Sequence, residues 1–556
     1  MKNTVTIFSR FIVLLALGLM GYEATAQYTH SYSFPTAASV GFRLTEPAAY
    51  DQLYHVKKTG NDANPGIADQ PVLTVGKALE KARASLQAGK KTKILVYPGT
   101  YVESVKEESW NNGDNTTKRT LLCIEGQNAT GSVIMQPRSD THHALWLQGK
   151  HSMVIRNMIF DGAYQNNYVW EGGALLVTYS SWGDIIERYQ DWLVENCEFK
   201  NGNGTGIAFH HNEYSTFRNI TVKDNKGGGG SVALRYCLVD GLTLTNNNLA
   251  DQSRFSNGGL FWISAHTILR NSNMSGNRGA GLRMDHSCVN SVFDNITADN
   301  NQDAGLFFET ASGPILVKNC RARNNRVGLI LATVYDVVVD GCTFSDNTQT
   351  QIEHGLMKRD DPALCVNPTW YCTSSNYDTA PVNGTSWTNS LGLTSNRRIE
   401  MVNNTITTTK GASSYLVQFS NTDRDDEYIP LFLSGGYWAS NNRYFNPDND
   451  NAFGLTPETY TDFDGWKART GKESGSIWGT GGPVPAAPTL GTRSTNGANS
   501  VTVQWADNSG NETGFRVQRK RGLTGNYVTI ANLGSGTTSY TNTGLTASTT
   551  YYYRVK

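Results

Sequence analysis

The chain has 556 residues, with 48 Lys and Arg balanced by 48 Asp and Glu. That length exceeds one ordinary core and suits two or three domains. Zero net charge gives no reason to expect nucleic acid or an acidic membrane as partner. Charged residues are only 17%, and 55 glycines accompany many Asn, Thr and Ser, a composition suited to short strands joined by tight turns.

The first 26 residues read as a secretory signal peptide. Lys2 and Arg10 make a basic start, and Phe11 to Gly21 is apolar over about half the length of a membrane span. Ala24-Thr25-Ala26 fits the small-residue cleavage rule. Cleavage near Ala26 would send the mature chain out of the cell. No other stretch is apolar enough to cross a bilayer as a helix, so no membrane association is expected after cleavage.

TGNDANPGIADQPVLTVGKALEKA follows from Thr59 and leads into ILVYPGTYVES. The spacing predicts an amphipathic helix over Val75 to Ala88 that caps an open end, with a first rung beginning at Lys93 to Tyr97.

A repeat then dominates the chain. LVENCEFKNG, TFRNITVKDN, LVDGLTLTNN, ILRNSNMSGN, VFDNITADNN, LVKNCRARNN and VVDGCTFSDN each hold an apolar strand, an Asn or Gly, an alternating strand and another Asn. The first Asn/Gly positions are Asn196, Asn219, Gly241, Asn271, Asn295, Asn319 and Gly341, at intervals of 23, 22, 30, 24, 24 and 22. Such a period with short strands predicts an all-β right-handed parallel β-helix. Rungs about 4.8 Å apart would let these Asn bond to their neighbours above and below and satisfy buried turn amides. Ile220 and Val222 should point inward, as should Cys197, Cys320 and Cys342 in one column. Cys365 and Cys372 are the best disulfide candidates among 8 cysteines.

The strand before each repeat is aligned as GIAFHHN, SVALRYC, GLFWISA, GLRMDHS, GLFFETA and GLILATV, from Gly206, Ser231, Gly259, Gly281, Gly305 and Gly328. Third and fifth positions are expected outward. The fifth column then stacks His210, Arg235, Asp285 and Glu309. Asp285 and Glu309 lie one rung apart, at about 5 Å between Cα atoms. A carboxyl pair at that spacing belongs to retaining glycosidases, with Asp285 as nucleophile and Glu309 as general acid/base. Arg283 or Arg235 would keep the nucleophile ionised, and His210, His211 and His286 would hold sugar hydroxyls rather than a metal. Trp262, Phe307 and Trp182 supply aromatic surface for sugar rings. Trp182 belongs to an insertion, Ala163 to Gln190, that also holds Trp170, Glu171 and Asp184, with Trp192 just beyond. A second insertion, His354 to about Asn396, holds Trp370 and Tyr371.

The TGND…NPG…P…T…KAL…PGTY motif and the closing FDGWKARTGKESGSIWG resemble the pectate-lyase-like β-helix superfamily over roughly residues 50 to 479. GLRMDHSCVNSVFDNITADNN followed by GLFFETASGPILVKN resembles β-helix glycoside hydrolases of the β-xylosidase type. That resemblance implies Asp285 as nucleophile and Glu309 as acid/base, and nothing about the flanking rungs. Signal cleavage near Ala26 and the superfamily resemblance together bound the β-helix domain at 27–479. A Gly/Pro linker, 480–487, precedes VTVQWADNSGNETGFRVQRK and GLTASTTYYYRVK, which resemble a fibronectin type III sandwich over 488–556. That resemblance implies Trp505 in the core and Tyr551 as a tyrosine corner. Lys556 falls in the expected sixth strand, so a seventh strand and further modules are expected to lie beyond it.

The reading is a secreted, monomeric retaining glycoside hydrolase that acts on a polysaccharide without cofactor or metal. A calcium-dependent polysaccharide lyase is the first alternative, with Arg235 or Arg283 as base and Asp423, Asp425, Asp426 and Glu427 as calcium ligands. A glycan-binding adhesin is the second.

Overall fold

The computed structural model describes residues 29–556 except 108–119, 129–130, 142, 148–151, 165–174, 178–188, 251–257, 285–287, 310, 312, 333, 356–395, 421–431, 434–435, 457–458, 480–487, 510–511, 513 and 523–526. The chain divides into two compact units, Met1–Ser476 and Ile477–Lys556.

The first unit is a solenoid of parallel strands. Among the described residues one sheet has 14 strands, and a second, of 21, forms the other sides of the same coils. Each coil gives one strand to the first sheet and a bent pair to the second, as in Ile207–Glu213 followed by Thr216–Lys223. The bend falls on the seven Asn/Gly positions of the repeat. All seven have φ between 51° and 76°, the left-handed region that Asn and Gly enter at least cost. The Asn side chains at these bends run along the surface, with Asn219 Nδ2 donating to Asn196 Oδ1 at 3.2 Å.

The ladder that satisfies buried amides is therefore not this first column but the second. Asn225, Asn247, Asn277, Asn301, Asn325 and Asn347 are each at most 3% exposed. Each Oδ1 from Asn247 on accepts from the preceding Asn twice. Asn301 N–H and Nδ2 donate to Asn325 Oδ1 at 2.7 and 3.1 Å. Each Nδ2 also reaches a carbonyl of the coil before, as Asn301 to Met274 O at 3.0 Å. Gln351 Oε1 ends the series by accepting from Asn347 N–H and Nδ2 at 3.0 and 2.8 Å.

Ile220 and Val222 are buried, as alternation requires. Cys197, Cys320 and Cys342 are buried and unbonded, as are Cys123, Cys237 and Cys288. Cys365 and Cys372 lie outside the described residues.

The first coil starts earlier than the sequence suggested. Gln52–Val56 pairs in parallel with Thr92–Val96 before that strand pairs onward with Leu122 to Gly126. The helix runs Val75–Gln87 and buries Val75, Ala78, Leu79, Ala82 and Leu86, one apolar stripe. Two carboxylates of the opening motif hold its first turn. Asp62 accepts from Leu73 N–H, Thr74 N–H and Thr74 Oγ1, each at 2.9 Å. Glu103 accepts from Val75 and Gly76 N–H at 3.0 and 2.9 Å. Both sit where a helix start exposes unsatisfied donors and positive dipole. At Gly60 a Cβ would stand 2.2 Å from Val72 O, which requires glycine there.

Residues 29–50 form a strap along the outside of the larger sheet. Thr29 and His30 N–H donate to the buried Glu400 carboxylate at 2.8 and 2.9 Å. Tyr32, Phe34 and Val40 cover Ile268, Val292, Leu316 and Val338. Arg43 pairs with Asp191, and Glu46 with Arg156, each at 2.8 Å. At the far end the helix Phe463–Thr470 seats Trp466 against Phe453. Buried Glu473 accepts from Trp466 Nε1 at 2.9 Å, Tyr444 Oη at 2.8 Å and Ser476 Oγ at 2.7 Å. The closing motif is thus a plug pinned by one carboxylate.

The second unit has two antiparallel sheets of three strands. One is Thr489–Thr495, Val501–Ala506 and Ser539–Asn542; the other is Val528–Gly534, Gly514–Arg521 and Tyr551–Val555. Trp505 lies in the core with Val503, Phe515, Val517 and Tyr553. Tyr551 Oη accepts from Thr546 N–H at 3.2 Å, the geometry of a tyrosine corner.

Two stability tests follow from this packing. Asn301→Ala strips partners from the amides of Asn277 and should cost about 2–4 kcal/mol, whereas Asn295→Gly at a surface bend should cost under about 0.5 kcal/mol; denaturant titration compares them. The second concerns His354, fully buried among Phe419, Phe432 and Tyr437, with neither ring nitrogen bonded among the described residues. Burial pushes its pKa down to about 3 from 6.5. The unfolded chain then binds the extra proton between these values, so stability falls as pH drops below about 6.5. His354→Leu should remove about 2 kcal/mol of the loss between pH 8 and pH 5; equal pH dependence in both proteins would refute this.

Candidate functional site

The 14-stranded sheet presents its outward columns in an order the backbone pairing fixes. Ser231, Phe261, Arg283, Phe307, Ile330, Glu353 and Gln418 are successive register partners. Two residues further along each strand, Ala233 pairs with Ile263, and Glu309 with Ala332, Gly355 and Ser420 in turn.

At the centre of this face Arg283 Nη2 donates to Glu309 Oε2 at 2.7 Å. Their side chains are only 13% and 8% exposed. The Arg283 guanidinium also lies 5.2 Å from the Phe307 ring centre. Phe307 in turn packs against Ala280, Ala304, Val327, Ile330 and Ala332. The strand Ala304–Glu309 explains this arrangement. Leu306 and Phe308 fill the core, which turns Phe307 and Glu309 to the other face. The arginine one rung back spans the diagonal between them.

His210 and Arg235 do not stack as the sequence alignment placed them. Ala208, not Gly206, pairs with Ser231, and a bulge sets Asn212 opposite Leu234 and Glu213 opposite Arg235. His210 and His211 therefore share the bulge opposite one residue. His210 Nε2 is 2.9 Å from Ser231 Oγ. Arg235 Nη1 lies 3.5 Å from Glu213 Oε1, a second Arg–Glu pair on the same face. Glu213 was not singled out from sequence, because the four glycines at 227–230 offer no side chain to anchor an alignment.

Other expectations divide. Trp262 stands in backbone register with Val232 and Met284, and its side chain is not described. Trp192 is fully buried, in register with Met153, because it opens a rung strand and does not close a loop. Within the span read as the first insertion, Leu176–Val177 is itself a rung strand, paired with Leu145 and Ile207 partners. Asp285, His286, Trp182, Trp170, Glu171, Asp184, Trp370 and Tyr371 lie outside the described residues, as do Asp423, Asp425, Asp426 and Glu427. The His211 side chain is likewise not described.

Glu353 extends the face beyond the last strand used for the alignment. It follows Ile330 in the outward column, and Ser420 Oγ donates to its Oε1 at 2.6 Å. The signal was QIEHG, one rung after GLILATV.

Comparison with known proteins agrees with the fold. Residues 237–423 match the family model of the right handed beta helix region, and residues 486–556 that of the fibronectin type III domain. The first unit is thus a right-handed β-helix and the second a fibronectin type III domain. No curated protein matches the sequence. Solved structures similar to this chain include the complex of XylC with xylose, at 10% identity and TM-score 0.49, covering 90% of this chain and 100% of that one. The A-module of the Azotobacter vinelandii mannuronan C-5 epimerase AlgE6 is 16% identical, covering 74% and 97%, with TM-score 0.47. The catalytic domain of a GH87 α-1,3-glucanase with tetrasaccharides is 10% identical, covering 79% and 70%, with TM-score 0.46.

The Arg283–Glu309 pair can be tested apart from any activity. Removing one member of a buried pair leaves an uncompensated charge, so Glu309→Leu should cost about 3–5 kcal/mol. Arg283→Met with Glu309→Leu should restore wild-type stability or exceed it. A double variant as unstable as the single one would show that the pair itself holds the fold together.

Proposed function

We propose that the β-helix is a carbohydrate-active enzyme that binds a polysaccharide along its 14-stranded face and hydrolyses it with retention. The observation that carries this is the pair of opposite charges sunk in that face, Arg283 and Glu309, beside the Phe307 ring. Burying a charged pair gives a fold little net stability, so it points to chemistry more than to architecture. The ring supplies an apolar surface for a sugar's C–H face, and the polar groups around it suit hydroxyls.

Asp285 completes the reading. Met284 and Phe308 are register partners, and Asp285 and Glu309 are the residues next in chain after each. A carboxyl pair one rung apart would let Asp285 attack the anomeric carbon while Glu309, carrying a proton when the substrate is bound, gives it to the leaving oxygen. Glu309 would then take a proton from the water that releases the sugar. Arg283 positions Glu309 in this scheme. His210, held by Ser231, and Arg235, held by Glu213, would bind sugar groups towards the N-terminal rungs. No cofactor is required. Export by the N-terminal signal would place the enzyme where polysaccharide is found.

A lyase acting on a uronate polymer is the second reading, favoured by the two arginines, 235 and 283, on one face. The two are separated by a panel of polysaccharides assayed for reducing ends and for unsaturated products absorbing in the ultraviolet. Reducing ends without ultraviolet absorbance are expected, and Asp285→Ala and Glu309→Ala should each lower their release by about a thousandfold. Unsaturated products, or activity that survives both substitutions, would overturn the assignment.

A further inference from the structure

The net charge of zero conceals a strong asymmetry. The second unit, Ile477–Lys556, carries seven Lys and Arg against two carboxylates, a net of +5, so the rest of the chain carries −5. The two carboxylates, Asp507 and Glu512, lie together in one loop. Glu512 is engaged there by Ser509 Oγ at 2.8 Å and Gly536 N–H at 3.1 Å.

Three of the cations, Arg516, Lys520 and Arg554, share the outer side of one sheet, whereas Arg519 and Arg521 pair with Tyr553 and Tyr551 on its other side. In the strand Gly514–Arg521, Phe515 and Val517 face the core, which turns Arg516 outward. After the bulge between Val517 and Gln518, Lys520 pairs across the sheet with Tyr552 and Gln518 with Arg554. Tyr553, between them, is in the core, so Tyr552 and Arg554 face outward. The Lys520 ammonium lies 5.2 Å from the Tyr527 ring centre and 5.3 Å from that of Tyr552. The Arg554 guanidinium lies 4.3 Å from the Tyr527 ring centre. Arg554 Nε also donates to Gln518 Oε1 at 2.6 Å, which fixes its orientation. Two half-exposed tyrosines, Tyr552 in its strand and Tyr527 just before the strand Val528–Gly534, thus border the two cations.

We infer that this outer face of the fibronectin type III unit, built on Lys520, Arg554, Tyr527 and Tyr552, is a docking surface for an acidic polysaccharide. Carboxylate groups along such a chain meet fixed cations, and the tyrosine rings offer the apolar surface on which sugar rings pack. Cations held against rings are partly organised before the ligand arrives, which lowers the cost of ordering them. Charge complementarity picks out the acidic polymer over a neutral one. The rings and the tether to a solenoid read as acting on polysaccharide favour a glycan over nucleic acid. The inference does not depend on the chemistry assigned to Glu309, since the face belongs to the other unit.

Native gels containing sodium polygalacturonate, or the same polymer methyl-esterified, test it with the full chain. The wild type should be retarded by the acidic polymer and much less by the esterified one. Lys520→Ser with Arg554→Ser should weaken the apparent affinity for polygalacturonate roughly tenfold without changing the melting temperature. Tyr527→Ala with Tyr552→Ala should weaken it several-fold. Arg493→Ser, on the exposed strand Thr489–Thr495 of the other sheet, is the control for net charge and should have little effect. Retardation by the solenoid alone would survive all of these substitutions equally and would overturn the inference. An equal loss with Arg493→Ser, or equally strong binding to duplex DNA, would overturn it as well. Failure of the catalytic reading would instead appear as absence of product with this retardation intact.

Discussion

The buried amide ladder is the constraint on which the first unit rests. Coiling a chain into stacked rungs turns it sharply inside the protein, where each turn strands an N–H. Asn supplies both a donor and an acceptor on a short side chain, so one residue type serves the rung before and the rung after. From Asn225 to Asn347 every side-chain oxygen or amide that a neighbour needs is present. Once that corner is fixed, the register of the 14-stranded sheet is fixed with it, and so are the neighbours of Arg283 and Glu309. Where Asn gives way to Gly202, the backbone N–H of Gly202 still donates to Asn225. At that end of the ladder a side chain is missing and the backbone donor still finds its partner.

Elements that obey this periodicity were legible in the sequence. The bends at Asn196 to Gly341 and the core positions Ile220 and Val222 follow from spacing alone. So does the helix over Val75–Gln87, because its apolar stripe repeats every three to four residues. Which Asn column is buried was not legible, since both columns recur at the same interval and only φ and exposure separate them. The register of His210 and Arg235 failed for a local reason. The glycine run before Ser231 hides where that strand starts, so aligning Ser231 with Gly206 and Gly259 misses its partners Ala208 and Phe261, and a bulge between Phe209 and Asn212 adds a residue besides. Trp192 shows a further limit, because an aromatic side chain suits a sugar platform and a solenoid core equally well.

The carboxylates divide by what surrounds them. Asp62, Glu103 and Glu473 are spent on backbone and ring donors at the two ends of the solenoid, where they replace the neighbouring rung that an end lacks. Glu400 does the same for the strap. Glu213 and Glu309 are different, since each faces an arginine on the outward side of a sheet that needs neither for its hydrogen bonds. That contrast makes the face, and not the ends, the place to look for a substrate.

The most direct measurement is a crystal structure of the Glu309→Gln variant with an oligosaccharide of the polymer that the polysaccharide panel identifies as substrate. Sugar rings should lie along the 14-stranded face, with one against Phe307 and the scissile oxygen within hydrogen-bonding distance of residue 309. An oligosaccharide bound only elsewhere, with Arg283 and residue 309 untouched, would contradict the assignment of this face as the site of reaction.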